Sequence, residues 1–219
     1  MAAIIKAGTK AIKVLITKRL KAQLYGLKKT STIYWSILVK KTSTFTNMNK
    51  VEINGIYYNL NECEKTAQVT ENPNKYSGAV SIPETVSYNG ITYSVTSIGV
   101  CAFRDCTGLT SIYIPNSVTS IGYHAFRGCK GLTSVNIPDS VTRIEGTFDG
   151  CSGLTDVNIP DSITYIGDHA FNDCKGLTSV NIPNSVTRIG HWAFGGCNSL
   201  ESVNIPNSIT SIEDFAFWG

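Results

Sequence analysis

An α/β-type repeat solenoid, rich in β structure, is predicted by three observations. Leu109, Leu132, Leu154, Leu177 and Leu200 fall 23, 22, 23 and 23 residues apart. Ile-Pro recurs in step, at Pro115, Pro138, Pro160, Pro183 and Pro206. Between these marks the apolar residues keep the same places in every period, down to an Ala-Phe-x-x-Cys that closes most of them. A fixed period of this length marks stacked supersecondary units, none of which can bury its apolar side chains without a neighbour.

The chain begins with a basic leader. Residues 1–50 hold eleven of the nineteen Lys and Arg and no Asp or Glu, whereas residues 51–219 carry eight basic against sixteen acidic side chains, a net charge of −8. Ile12, Ile16, Leu20, Leu24 and Leu27 share one helical face, with Lys10, Lys13, Lys18, Arg19 and Lys21 largely elsewhere, so an amphipathic basic helix is expected there. The leader makes a poor secretion signal. Its best apolar run, Ile33 to Val39, is closed by Lys40-Lys41 and lacks a small-x-small cleavage site. No stretch reaches the ~18 consecutive apolar residues of a membrane-spanning helix. Three readings stay open: an attachment arm for an anionic surface or assembly partner, a nucleic-acid-binding tail, or a disordered or untranslated leader with Met48 as the start. Nucleic acid is disfavoured, because Tyr25, Tyr34, Trp35 and Phe45 are the only stacking candidates and no binding module surrounds them.

Residues 51–79 read as a β-rich N-terminal cap. Asn54-Gly55, between Val51-Glu52-Ile53 and Ile56-Tyr57-Tyr58, has the signature of a tight hairpin, and Asn89-Gly90 repeats it. Residues 80–219 form the solenoid, opening in broken form with Val80-Ser81-Ile82-Pro83 and Val95-Thr96-Ser97-Ile98-Gly99. In a full coil, Leu132, Val135 and Ile137 follow the L-x-x-L-x-L pattern of a short parallel strand, which Pro138 ends. Val141 and Ile144 supply a second inward row. Phe148 supplies a third, repeated as Phe103, Phe126, Phe171, Phe194 and Phe217. The third coil lacks one residue at Ile144-Glu145-Gly146-Thr147-Phe148, read as a loop adjustment. The chain stops in mid-coil at Phe217-Trp218-Gly219, so either truncation or a covering element is expected at that end.

Ile-Pro-x-Ser-Val-Thr-x-Ile-Gly-x-x-Ala-Phe-x-x-Cys, with Asn-Gly-Ile-Tyr-Tyr and Val-Ser-Ile-Pro-Glu-Thr-Val before it, resembles the bacterial BspA-like leucine-rich repeat family over about residues 51–219. The resemblance implies a leucine-rich repeat with a parallel sheet on its concave face. It also implies a non-enzymatic protein, surface-exposed or secreted, used for adhesion and protein recognition.

Cys106, Cys129, Cys151, Cys174 and Cys197 form a ladder, one per coil. Equivalent positions on successive coils point their Cβ vectors in parallel, which disfavours disulfides, and no Cys-x-x-Cys or tetrahedral spacing suggests a metal. Buried free thiols are expected, with no cofactor and no metal. Cys101 and His124 share a column with His169, Trp192 and Phe215; a Cys-His nucleophile there lacks an orienting third group, so no catalytic residue is assigned. The candidate binding face is the outward row of the strands: Ser111 and Tyr113, Ser134 and Asn136, Asp156 and Asn158, Ser179 and Asn181, Ser202 and Asn204. Tyr113, Tyr123, Tyr165 and Trp192 break its polar regularity and are the candidate hot spots. The leading expectation is a non-catalytic protein- or glycan-binding adhesion module at the cell surface or secreted. The rival is a structural subunit of a larger assembly, anchored by its basic N-terminal segment.

Overall fold

The computed structural model describes residues 49–219. The leader, with its expected amphipathic helix and attachment role, lies outside the described residues.

The Asn-Gly pairs form hairpins for the expected reason. Asn54 and Gly55 sit at φ 51° and 81°, Asn89 and Gly90 at 50° and 77°, the left-handed pair that a two-residue turn of matching twist requires. The first turn joins β1 (Asn49–Ile53) to β2 (Ile56–Asn61), and the second joins β5 (Thr85–Tyr88) to β6 (Ile91–Ile98). Strand β2 also pairs antiparallel with β3 (Thr66–Val69), and β3 pairs parallel with β6, giving a sheet of order β1-β2-β3-β6-β5. The second hairpin therefore belongs to the same sheet as the first.

Each coil makes two short strands rather than one, so two parallel ladders run along the solenoid. The first ladder holds β4 (Gly78–Ser81) on β7 (Leu109–Tyr113), β9 (Ser134–Asn136) on β11 (Asp156–Asn158), and β13 (Ser179–Asn181) on β15 (Ser202–Asn204). The second pairs β6 with β8 (Ser120–Ile121), and then β10 (Arg143–Ile144), β12 (Tyr165–Ile166), β14 (Arg188–Ile189) and β16 (Ser211–Ile212) in sequence. Between ladders, Pro115, Pro138, Pro160, Pro183 and Pro206 each accept a turn bond from the N–H three residues on, at 3.0–3.2 Å.

The return arm contains no helix among the described residues. In successive coils Cys101 and Asp105, His124 and Gly128, Gly146 and Gly150, His169 and Asp173, and Trp192 and Gly196 take positive φ. Two left-handed residues four apart cannot lie in one right-handed helix. The arm is instead a run of tight turns, such as Ala102 N–H to Gly99 and Cys106 N–H to Phe103.

Leu109, Leu132, Leu154 and Leu177, with the inward Val and Ile of both ladders, fill the core. The phenylalanines stack along its length: Phe126–Phe148, Phe148–Phe171, Phe171–Phe194 and Phe194–Phe217 lie 5.4, 5.4, 5.3 and 5.2 Å apart with planes within 12°. Tyr76 heads the stack, 4.5 Å from Phe103. Offset stacking of this kind adds about 0.5–1.5 kcal/mol per pair beyond area burial.

The cysteine ladder consists of free thiols, and from Cys129 onward each is hydrogen-bonded to the coil before it. Cys129, Cys151, Cys174 and Cys197 donate to the carbonyls of Phe103, Phe126, Phe148 and Phe171 at 3.0–3.2 Å. Burial pushes the Cys174 thiol far up and Cys197 to about 11, so both stay protonated as donors. The serine after each Ile-Pro-x does the same: Ser162, Ser185 and Ser208 donate to Val141, Ile163 and Val186 at 2.6, 2.7 and 2.8 Å, and Ser140 to Val118. Ser117, the first in the row, has a buried hydroxyl with no partner. Its counterpart below would be Val86, which lies in an antiparallel hairpin instead of the repeated turn.

In the last coil the core row is open. Ile205 and Ile212 are 45% and 47% exposed, where their counterparts Ile182 and Ile189 are buried.

Candidate functional site

The first ladder places all ten predicted face residues on the surface, side by side. Ser134 and Asn136 stand opposite Asp156 and Asn158, and Ser179 and Asn181 opposite Ser202 and Asn204; Tyr113 pairs with Ser81 and is 59% exposed. Strand pleating sends these alternate residues outward while Val135, Val157 and Val180 point in. Their amides are partly committed to one another, Asn158 Nδ2 donating to Asn136 Oδ1 at 2.8 Å and Asn204 to Asn181 at 3.3 Å.

The other aromatic candidates lie on different faces. Tyr165 projects from the second ladder, between the guanidinium groups of Arg143 and Arg188, 5.6 and 5.5 Å from its ring. Those arginines are held in turn by Glu145 and Glu213, each at 2.9 Å. The Ser211 hydroxyl, followed by Arg188, holds the Glu213 carboxyl below the usual range. The stripe alternates acid, base, ring, base, acid and satisfies itself.

Tyr123 and Trp192 stand on the turn ridge, the edge formed by the left-handed column and the residues after Ala-Phe. Trp192 stacks on Phe215 at 5.0 Å and meets Trp218 edge-on at 5.2 Å. Tyr123 and His124 have ring centres 3.9 Å apart. Below them lies Gly146, where an added Cβ would come within 2.6 Å of Tyr123 Cε2 and 2.8 Å of His124 Cδ2. Glycine, in the place that His169 takes in the next coil, therefore leaves a seat for these two rings.

Beside this seat, the buried Asp149 carboxylate accepts from Asn172 Nδ2 at 2.9 Å and pairs with Arg127 Nε at 3.1 Å. His124 Nε2 is farther from it, at 3.9 Å. Burial, then the charge of Arg127, pushes His124 below its ordinary value against the pull of Asp149, so the ring is neutral near pH 7. A Cys101–His124 pair thus has an acid nearby that the sequence reading did not supply, but Arg127 and Asn172 hold that acid as a structural carboxylate. Arg127, Asp149 and Asn172 escaped the sequence reading because no motif joins them. Aligning the periods at the residue after Ala-Phe would have put them in one column.

Among the described residues, no group of three or more His, Cys, Asp or Glu side chains could hold a metal ion, and no helix is long and apolar enough to cross a membrane.

Two parallel ladders joined by proline turns, a phenylalanine stack and a hydrogen-bonded thiol column define a leucine-rich repeat solenoid. The chain belongs to the BspA type leucine rich repeat region family, whose model matches residues 84–175 and 145–219 in six copies. A leucine-rich repeat protein from Bacteroides ovatus is similar at 39% identity and a TM-score of 0.67, over 74% of this chain and 42% of that one. A T. pallidum leucine rich repeat protein is similar at 28% identity and a TM-score of 0.62, over 76% of this chain and 82% of that one. A leucine-rich repeat protein from Eubacterium ventriosum matches at 28% identity and a TM-score of 0.58, over 78% and 50%. The chain thus spans half or less of the Bacteroides and Eubacterium proteins. No curated protein matches it.

Proposed function

We propose that this chain is a non-catalytic recognition module for a protein or glycan, displayed at the cell surface or secreted. The observation that carries this reading is the first ladder: ten exposed side chains held in register on a backbone whose hydrogen bonds already run from coil to coil. Such a face loses little freedom when a partner docks, which lowers the ordering cost of association. Membership of a family of repeat proteins supports the reading, since repeats of this kind bind through surfaces that stacking makes extended.

A biosensor carrying the immobilised chain, screened against extracellular-matrix proteins and a glycan array, tests it. Saturable binding to one class, weakened by the combined change Ser134→Arg, Asp156→Arg and Ser179→Arg, is expected if the ladder is the docking platform. A folded chain that retains nothing from either panel overturns the reading.

A further inference from the structure

Successive coils meet through the same sets of backbone bonds, so their interfaces can be compared one by one. At a full interface the first ladder pairs, as β9 does with β11 and β13 with β15. The second ladder pairs too, and its bonds extend to both sides: Thr164 and Gly167 donate to Thr142 and Ile144, and Thr210 and Glu213 to Thr187 and Ile189, at 2.8–3.1 Å. The return arm runs in the opposite sense, the earlier coil donating to the later, as Phe194 and Gly196 donate to Ala216 and Trp218.

Between the second and third coils both ladders lapse. Among the described residues no backbone bond joins β7 to β9 or β8 to β10. Between the fourth and fifth coils the first ladder lapses as well, but there β12 pairs with β14, and Thr187 and Gly190 donate to Thr164 and Ile166 at 3.1 and 2.8 Å. No other interface among the described coils loses both ladders.

The cause is the short corner of the third coil. Ile144 and Phe148 have three residues between them where Ile121 and Phe126 have four. At this corner Gly122, Gly167, Gly190 and Glu213 each send an N–H to the isoleucine carbonyl of the coil before. Glu145 instead donates to Thr147 Oγ1 at 3.1 Å, inside its own turn. Thr147 is buried where the neighbouring coils carry alanine.

The bonds that remain across this interface lie mainly on the return arm. Phe126 and Gly128 donate to Thr147 and Asp149 at 2.9 and 2.8 Å, Cys151 donates to Phe126, and Arg127 Nε holds Asp149 at 3.1 Å. The Phe126–Phe148 stack is intact. Toward the ladders, the Ser140 hydroxyl reaches Val118 at the proline turn.

In a solenoid each coil is held by its own bonds and by its two interfaces, so the array opens first where least crosses. We propose that the junction of the second and third coils is a hinge, pinned along the return arm by Arg127 and Asp149 and free to part along both ladders. It divides residues 49–131 from residues 132–219 as separately opening segments. It also divides the candidate binding face between Tyr113 and Ser134, so a partner spanning both holds the hinge at one angle. The hinge itself does not depend on the binding-module reading.

The test is hydrogen exchange of the full chain, read by mass spectrometry through a denaturant series below the global transition. Peptides on the two sides of the junction are expected to lose protection at two separate midpoints, differing by at least about tenfold in protection between them. One midpoint shared by all coils overturns the hinge, as does a graded loss that starts at the last coil and passes the junction without a step. Replacing Glu145-Gly146-Thr147 by Gly-Asp-His-Ala, the corner of the fourth coil, restores the missing residue and should merge the two midpoints. Two midpoints that persist in that variant, with a melting curve showing it folded, overturn the assignment to the short corner. Should it not fold, Arg127→Gln carries the test: freeing Asp149 weakens the pin and should widen the gap between midpoints, and an unchanged gap overturns the pinned hinge.

Discussion

Two residues apart in every coil lie two columns that obey different rules. Phe126, Phe148, Phe171 and Phe194 are identical and fully buried; His124, Gly146, His169 and Trp192, each two positions earlier, change from each coil to the next. The inner column must repeat because each ring is packed between its own copies above and below, so a change of shape in one coil disturbs two interfaces. The outer column meets solvent on one side and tolerates any residue that accepts its backbone. Between these two columns, uniformity goes with burial and variation with contact with solvent.

The largest test of this contrast is Phe171→Ala, which removes a ring between Phe148 and Phe194. It should cost about 3–5 kcal/mol, read as a lowered midpoint in chemical denaturation. A denaturation curve matching the parent would break the inner rule. One column out, Trp192→Gly trades lost stacking on Phe215 for relief of a left-handed backbone, and should cost no more than about 1–2 kcal/mol in the same assay. A loss as large as that of Phe171→Ala would show that the ridge is part of the lattice.

The serine row sharpens the comparison within one repeat position. Ser162→Ala removes a hydrogen bond to Val141 and should cost about 1 kcal/mol. Ser117→Ala removes a buried hydroxyl that has no partner, and should leave stability within about 0.5 kcal/mol of the parent or raise it. Equal losses at both sites would mean that the hydrogen bond contributes nothing.

The smallest effect is in pH. In the folded chain, burial and Arg127 hold His124 below its ordinary value, with Asp149 opposing and Arg104 and His169 adding to the depression. Protonation therefore favours the unfolded chain. This contribution to stability is complete above about pH 6.5 and declines as pH falls below it through the folded-state value. The difference in stability between the parent and His124→Gln should be level at neutral pH and narrow on acidification. A difference that stays constant down to pH 5 would show that His124 titrates normally.

Much of this molecule was legible as text. The 23-residue period, the proline after each strand, the inward Leu-Val-Ile row, the Asn-Gly hairpins and the buried thiols all follow from local chemistry repeated in place. The ten face residues were legible for the same reason, since alternation along a strand assigns sides. The second strand of each coil was not, because Arg143-Ile144 or Tyr165-Ile166 is only two residues long and pairs solely through its neighbours above and below. Nor was the turn-built return arm, whose helix-breaking φ values fall on His and Trp where sequence rules expect glycine.

The sequence by itself therefore determined the solenoid, its register and its core, because a period is a statement about what each coil meets when it stacks on the next. Tertiary structure alone decided the neighbourhoods that cross coils: Asp149 between Arg127 and Asn172, Tyr165 between Arg143 and Arg188, and Tyr123 over the bare backbone of Gly146. Those partners lie about one period apart in the chain. They meet only because stacking brings each coil within a strand spacing of the next, a distance that the linear order of residues does not contain.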